Sequence, residues 1–428
     1  RLSGDIRIRG YLSDKANAQD VGIRHNDGPD AQFITQRTRV TVEADLEDHV
    51  TAVVTLQAAS IWGDYNSGLN DYAGTGRAGM VGVSEAYVQL RELFYSPATL
   101  KLGRQSLNYG TGLIISSADQ MYTFDAGRLV LDYHPLTIDI VGAQLANTQE
   151  FSPAASEGNG QSDMLFVNGK YEVNGSVVKN IEGYFGWASQ MRTPQQFGIN
   201  TATTPSPLLI GLRTDLTPWE NLTASLEGAY EFGNANSSET IIYGPSHAGD
   251  KTISAFLLNA ALKYTLKGVV WTPVFNASYT YASGDSLVGN ADHSMNTRHT
   301  FVPWFGMAEG YNGYVFAPAL SNIQIFNLGA SVKPAANTTL ALQGYYYLKA
   351  NRNGIVSSDP NANLGGLGSS SMYNDSRDVG AEIDAIVGYD YSKDVRCQLV
   401  YGALFPNTAM EGISRTISQV RGELNVKF

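Results

Sequence analysis

Apolar and polar residues alternate along most of this chain with a period of two, as expected where successive side chains point to opposite faces of a β-strand. The run VRGELNVKF at 420–428 shows this pattern, and so do DIRIRG at 5–10 and RTRVTVEA at 37–44. The alternation predicts eighteen strands, at about 3–12, 32–45, 49–62, 80–94, 97–109, 124–133, 137–145, 161–173, 178–190, 207–217, 221–232, 252–266, 269–282, 321–333, 337–349, 378–391, 395–404 and 416–428.

The connections between these strands alternate strictly between long and short. Long connections such as 283–320 follow every odd-numbered strand, whereas short ones such as Leu46–Asp48 and Lys267–Gly268 follow every even-numbered strand. A soluble β-sandwich also shows alternating strands, but outer-membrane barrels sort their connections into short periplasmic turns and long extracellular loops. The sequence therefore predicts an all-β fold, a single closed antiparallel transmembrane β-barrel of about 18 strands, with residues 1–428 as one domain.

Composition and charge narrow the class of protein further. Charged residues make up 16% of the 428 residues, below the ~25% typical of soluble domains. The net charge of −11 argues against a nucleic-acid partner, because binding phosphates requires a basic surface. Aromatic residues gather near the predicted strand ends, where they would contact lipid and lipopolysaccharide. We expect a location in the bacterial outer membrane, with Arg1 beginning a mature chain whose signal peptide has been removed.

No sequence motif indicates catalysis, a cofactor or a metal. The single Cys397 excludes a disulfide framework, and the glycine-rich segments lack the Lys-Ser/Thr of a phosphate loop. The six histidines fall in predicted loops or beside turns, and Asp292, His293 and His299 lack regular ligand spacing. We predict that the protein is not an enzyme and has no cofactor, catalytic residue or metal site.

Two pairs of sequence motifs resemble the alginate export family of outer-membrane barrels. The first is LKLGRQSLNYG at 100–110 followed by FDA at 124–126, and the second is VGAEIDA at 379–385 followed by YGALFP at 401–406. The resemblance implies an eighteen-stranded barrel and passage of anionic alginate through a pore lined with basic residues, although many members are porins. It also implies a long periplasmic turn between strands sixteen and seventeen in an exporter. Here that turn is only about Ser392–Asp394, which argues against polymer export.

Charged residues within the membrane zone are expected on the inner face of a barrel, since a lipid-facing Arg or Lys costs about 2–4 kcal/mol at the midplane. Counting parity along the strands predicts these inward basic residues: Arg7, Arg9, Arg37, Arg39, Arg91, Lys101, Arg128, Arg213, Arg396 and Arg421. It predicts an inward acidic group of Asp378, Glu382 and Asp384 on strand sixteen. Arg104 falls on the outward parity unless a bulge near Gly103 changes the register, and we expect such a bulge.

Barrel closure would bring most of these arginines together. Strand eighteen would lie beside strand one, so Arg7, Arg9, Arg37, Arg39, Arg396 and Arg421 would share one arc, with the acidic group next to it. Opposed basic and acidic walls orient charged solutes, and the guanidinium fork suits carboxylates and phosphates. One hypothesis is passage of anionic solutes or an anionic polysaccharide. The alternative is that these arginines pair with Glu43, Glu423 and their neighbours and stiffen the wall.

The longest predicted loop, 283–320, is unusually aromatic for a surface loop. It contains Trp304, Phe305, Tyr311 and Tyr314. We favour a constriction loop that folds into the mouth of the pore over a surface that contacts a partner protein. Two other functions stay open at this point: a general or nutrient-specific diffusion porin, and a structural barrel in a larger envelope complex whose partner proteins are unknown.

Overall fold

The structure is a computed structural model that describes residues 1–14, 30–46, 49–62, 81–118, 123–147, 161–173, 175–189, 191, 205–235, 237–238, 248–249, 252–285, 297–306, 310–352, 354, 356, 376–410 and 415–428. Eighteen long strands, numbered here in chain order, form its wall. They are β1 (Leu2–Asp14), β2 (Asp30–Asp45), β3 (Val50–Ile61), β4 (Val81–Leu90), β5 (Ala98–Gln105), β6 (Phe124–Tyr133), β7 (Leu136–Asn147), β8 (Gln161–Glu172), β9 (Val178–Ala188), β10 (Ser206–Trp219), β11 (Leu222–Asn234), β12 (Thr252–Thr265), β13 (Val274–Ala282), β14 (Ile323–Ala335), β15 (Thr338–Lys349), β16 (Asp378–Asp390), β17 (Val395–Pro406) and β18 (Ile417–Lys427).

Each long strand pairs antiparallel with the next one along the chain, and the last pairs with the first. The β1–β18 ladder runs from Asp5 opposite Lys427 to Ser13 opposite Gln419, which closes the sheet. The predicted all-β fold, a closed antiparallel barrel of 18 strands with short turns at one end and long loops at the other, is confirmed. Among the described residues, no helix has the length and apolar character needed to cross a membrane.

The two faces of the wall differ as the alternation predicts. Large apolar side chains such as Leu212, Leu328 and Leu342 are exposed on the outer face, while Asp5, Arg9 and other polar residues on the inner face are buried. An outer face of this kind suits the hydrocarbon of a bilayer. Exposed aromatic side chains lie near the strand ends, including Trp62, Phe94, Tyr95, Tyr133, Trp187, Trp219, Trp271, Tyr346, Tyr389 and Tyr391.

Three predicted strands are shorter in the structure. The strand expected at 80–94 ends at Leu90, before a short 3-10 turn at Leu93–Tyr95. The strand expected at 97–109 ends at Gln105, because the chain leaves the wall there and Leu107 is completely buried inside the barrel. The strand expected at 269–282 begins only at Val274. The residues before it form a wider turn, in which Trp271 and Thr272 have positive φ values of 65° and 43°. Exposed apolar residues in that turn gave the sequence its misleading strand character.

Two segments leave the wall and fold into the lumen. We call 106–118 the first inserted segment and 297–322 the second, the latter described except for 307–309. They join through a parallel bridge between Ile115 and Phe305, where the Ser116 N–H donates to the Phe305 carbonyl at 2.8 Å. Most apolar side chains of both segments are buried. The barrel therefore has an interior core that narrows its lumen.

Candidate functional site

The first inserted segment is fastened to the wall by strands β9, β10 and β11. The Gly110 N–H donates to Glu182 at 3.2 Å, and the Thr111 N–H donates to Glu227 at 3.0 Å. From the wall, Arg213 donates to the Gly110 carbonyl at 3.1 Å. Because Glu182 and Glu227 are both buried, these hydrogen bonds satisfy carboxylates that would otherwise be costly to bury.

The second inserted segment is held at two places by buried glutamates. Glu231 on β11 accepts the Val302 N–H at 2.8 Å and the Trp304 indole N–H at 2.7 Å. Glu382 on β16 accepts the consecutive backbone N–H groups of Tyr314, Val315 and Phe316 at 2.7, 2.8 and 2.9 Å. The Tyr347 hydroxyl donates to the same carboxylate at 3.2 Å. Both carboxylates are thus used to position one loop.

The aromatic residues of the longest loop lie at different depths. Trp304 and Phe305 are buried, and the Phe305 ring meets Phe124 of β6 edge to face with centroids 5.2 Å apart. Tyr311 is partly exposed and donates its hydroxyl to the Thr111 carbonyl at 2.8 Å, which links the two inserted segments. Burial raises the pKa of the Tyr311 phenol above its usual value, with the nearby Glu227 adding to the effect. This hydroxyl is therefore a neutral donor at physiological pH.

Five arginines gather on the inner face of β18, β1 and β2, and we call them the arginine patch: Arg7, Arg9, Arg37, Arg39 and Arg421. Arg7 lies directly opposite Arg37 in the β1–β2 register. Arg37 and Arg39 both reach Asp5, at 3.3 and 2.5 Å, and Arg9 pairs with Glu423 at 2.5 Å. The Arg421 guanidinium stands 4.6 Å from the centroid of the Tyr314 ring, where the patch meets the second inserted segment.

The other predicted basic residues lie apart from this patch. Lys101 stands 3.5 Å from the centroid of the Tyr87 ring, Arg128 pairs with Asp139, and Arg213 pairs with Glu182 and Asp215. Two further arginines lie at the turn end of the barrel with about half of their side chains exposed: Arg91, which pairs with Asp45, and Arg396, which pairs with Asp390. In register, Arg396 lies opposite Asn425, which in turn lies opposite Arg7 of the patch.

The predicted acidic group is divided in the structure. Glu382 and Asp384 are completely buried on the inner face. Asp378 lies at the loop end of β16, where the Asn407 side chain donates to it at 2.6 Å. The ladder between β15 and β16 shifts register next to Gly380, whose φ is 141°. This irregularity separates Asp378 from the regular alternation that the two other carboxylates follow.

Arg104 lies on the outer face of the barrel. Its guanidinium donates twice to Asp125, both at 2.8 Å, and once to the Val83 carbonyl at 3.2 Å. The ladders on both sides of β5 keep a constant register through Gly103, so the suggested bulge is not there. Gly103 is instead needed for close approach, because a Cβ at this position would lie 2.2 Å from the Ala86 carbonyl oxygen. The GRQ and FDA motifs thus meet as one lipid-facing ion pair.

Sequence reasoning missed several residues that organise the lumen. Asp5, Glu182, Glu227 and Glu231 all bind either the arginine patch or an inserted segment. Strand parity could have found them, since each has the inward parity of its strand. Asp292 and His293, considered above for metal binding, lie outside the described residues. Within the described part of the chain, no group of three or more His, Cys, Asp or Glu side chains could hold a metal ion.

Comparison with known proteins agrees with this architecture. A family model described as Alginate export matches residues 2–418. No curated protein sequence gives a significant match. Similar solved structures include OccK9 (OpdG) of Pseudomonas aeruginosa, with a TM-score of 0.61 and 12% identity over 100% of this chain and 97% of that one. OccAB2 of Acinetobacter baumannii has a TM-score of 0.59 and 10% sequence identity, over 100% of this chain and 98% of that one. A BenF-like porin from Pseudomonas fluorescens Pf-5 has a TM-score of 0.58 and 12% sequence identity, over 100% of this chain and 98% of that one. At these identities the likeness shows the fold.

Proposed function

The chain belongs to the alginate export family, and from that premise and the geometry of its lumen we propose that this outer-membrane channel passes anionic solutes or an anionic polysaccharide. The observation that carries the proposal is the arginine patch, and within it the direct opposition of Arg7 and Arg37 across the β1–β2 ladder. Like charges directly opposite each other destabilise a sheet. An anion that passes between them would offset this cost.

The balance of charge on these three strands supports an anionic solute. The inward positions of these strands carry the five arginines of the patch and Lys427, against the four carboxylates of Asp5, Glu43, Asp45 and Glu423. The ion pairs of Arg9, Arg37 and Arg39 also fit the alternative that the arginines stiffen the wall. Even when each carboxylate is matched with one arginine, an excess of positive charge remains. That excess would raise the local concentration of anions.

The inserted segments direct a solute towards this patch. Their hydrogen bonds to the wall described above are made to β9, β10 and β11, across the barrel from β1 and β2, and to β16, which is separated from β1 by β17 and β18. In our proposal the remaining passage runs between the inserted segments and the arginine patch. Tyr314 would form the meeting point, since it contacts Arg421. The constriction therefore both narrows the lumen and brings solutes close to the guanidinium groups.

Small anions are favoured over a polymer as the solute. The turn between β16 and β17 spans only 391–394, so the long periplasmic turn expected of an exporter is missing here. A lumen filled by two fastened segments also suits small solutes better than a continuous chain. A diffusion porin with anion preference is the version of the proposal that these observations favour.

The reversal potential of single channels under a KCl gradient tests the proposal. The unmodified protein should prefer chloride, and Arg7→Gln combined with Arg37→Gln should reduce that preference severalfold. Arg104→Gln is the matched control, because Arg104 lies on the lipid face. Cation preference in the unmodified protein would refute the proposal. So would an unchanged reversal potential in the double variant.

A further inference from the structure

Three amide side chains form a hydrogen-bonded group on β13, β14 and β15, and we call them the amide triad: Asn276, Asn327 and Gln343. The Asn276 side chain donates to the side-chain oxygen of Asn327 at 2.8 Å and to that of Gln343 at 3.0 Å, and Gln343 donates back to Asn276 at 3.2 Å. Asn327 donates to the Gln343 side-chain oxygen at 3.1 Å and to the Gly344 carbonyl at 3.2 Å. Gly329 lies between Asn276 and Gln343 in register. Its lack of a side chain lets Gln343 reach β13, since a Cβ there would lie 2.0 Å from the Gln343 side-chain oxygen.

The amide triad faces the lumen and is accessible there. The residues beside its members along the strands, Phe275, Phe326 and Leu342, are exposed on the outer face, so the alternation of a strand places the amides on the inner face. All three triad residues are partly exposed. On the inner face of a closed barrel, exposed surface opens into the lumen. A solute inside the channel can therefore touch the triad.

The hydrogen bonds within the triad leave both donor and acceptor capacity. A side-chain amide has two N–H groups and an oxygen that accepts twice. The contacts above use both N–H groups of Asn276 and Asn327 and both acceptor positions of Gln343. One N–H group of Gln343 and one acceptor position on each asparagine have no further partner among the described residues. A hydroxyl group both donates and accepts, so it matches this uncharged combination better than a carboxylate or an ammonium group does.

The wall on which the triad lies is polar but uncharged. No charged residue occupies an inward position of β13, where the inward residues are Val274, Asn276, Ser278, Thr280 and Ala282. The inward positions of β14 from Ile323 to Ser331 are uncharged as well. The charged residues nearest in register are Lys263 on β12, opposite Asn276, and the buried Asp384 on β16, opposite Gln343. Hydrogen bonding rather than charge therefore decides what this part of the wall holds.

The triad adjoins the constriction on its turn side. Gln343 lies two residues before Tyr345 on the same face of β15, and the Tyr345 ring stacks on Tyr347 with centroids 6.0 Å apart. The Tyr347 hydroxyl donates to the Asn312 carbonyl of the second inserted segment at 2.7 Å. A solute that the inserted segments confine to a narrow passage therefore comes close to the triad.

We propose that the amide triad binds the hydroxyl groups of a small polyhydroxylated solute, a sugar or a polyol, beside the constriction. One hydroxyl contributes little, because water competes for every hydrogen bond. Three amides held on adjacent strands about 4.8 Å apart suit a solute with hydroxyls on neighbouring carbons. The inference rests on the proposed function only in requiring that solutes enter the lumen, and it does not depend on the charge of the solute.

Single-channel currents in KCl test the proposal with two neutral probes. Sorbitol has a hydroxyl on every carbon, whereas triethylene glycol is of similar size with hydroxyls only at its ends. In the unmodified protein, sorbitol should reduce the current in a saturable manner, and triethylene glycol should cause only a loss proportional to its concentration. Gln343→Met keeps the length of the side chain without its amide and should weaken the saturable effect severalfold. Gln144→Met is the matched control, because Gln144 is exposed on the outer face of β7.

Three outcomes would overturn the proposal: no saturable effect of sorbitol, equal effects of the two probes, or equal effects of sorbitol on Gln343→Met and the control. The third outcome, with a lower unfolding temperature for Gln343→Met, would indicate that the triad only ties three strands together. If Gln343→Met does not fold, Asn327→Leu tests the same site, and the two probes still decide the matter on the unmodified barrel. Cation preference with saturable binding of sorbitol would refute the proposed function alone. Anion preference without saturable binding would refute this inference alone.

Discussion

Replacing Glu231 by alanine should release the first half of the second inserted segment from the barrel wall. Glu231 is 0% exposed and accepts two hydrogen bonds, from Val302 and from the Trp304 indole. Leaving a buried donor without its acceptor costs about 1–3 kcal/mol, so the two donors together lose about 2–6 kcal/mol. Since about 1.4 kcal/mol corresponds to a factor of ten in an equilibrium constant, the attached state should become at least about tenfold less favoured.

Release should be partial, because Glu382 still binds the second half of the segment through three backbone N–H groups. Glu231→Gln should have a smaller effect than Glu231→Ala, since an amide oxygen keeps one acceptor for the two donors. In a planar bilayer we expect a larger and noisier single-channel conductance for Glu231→Ala, with Glu231→Gln in between.

Glu220→Ala serves as the control, because the Glu220 side chain is 84% exposed and makes only a 3.4 Å contact with Lys267 among the described residues. Each variant should retain the heat-modifiable electrophoretic mobility of a folded barrel. If Glu231→Ala folds and its conductance equals that of the control, Glu231 does not hold a constriction and the reasoning fails.

Three further predictions test other parts of the structure. Arg104→Ala should lower the free energy of unfolding, measured in urea, by about 1–3 kcal/mol because it leaves Asp125 unpaired. Adding Asp125→Ala should recover part of this loss, whereas a further additive loss would contradict an ion pair. Gly306→Ala should raise the single-channel conductance, because the added Cβ would lie 1.9 Å from the Leu113 carbonyl oxygen and push the two inserted segments apart. An unchanged conductance would contradict the contact between the two segments. Arg396→Gln should leave ion selectivity unchanged, since the Arg396 side chain is half exposed at the turn end. A shift in the reversal potential would indicate that Arg396 acts on ions within the pore.

The wall of this barrel could be predicted from the sequence because two local signals agree along its whole length. Alternation fixes which side chains face the lumen, and it correctly put Arg7, Arg37 and Glu382 on the inner face. Connection length then separates the two ends of the barrel. Both signals depend on residues close in sequence, so they need no knowledge of distant contacts.

The lumen could not be predicted in the same way, since its organisation rests on contacts between distant residues. Trp304 bonds to Glu231 across 73 positions, and Tyr314 bonds to Glu382 across 68. Parity also does not predict how exposed a side chain is, so it did not show that the Arg396 side chain is half exposed near the turn end of the barrel. A local irregularity beside Gly380 was likewise invisible in the alternation.

Selective permeation of an anion is the central claim, and the flux of two solutes of equal size tests it most directly. Proteoliposomes containing the barrel should take up glucuronate several times faster than glucose, because the arginine patch carries excess positive charge beside the constriction. Arg7→Gln with Arg37→Gln should bring the two rates together. Faster uptake of glucose than of glucuronate by the unmodified protein would contradict the account.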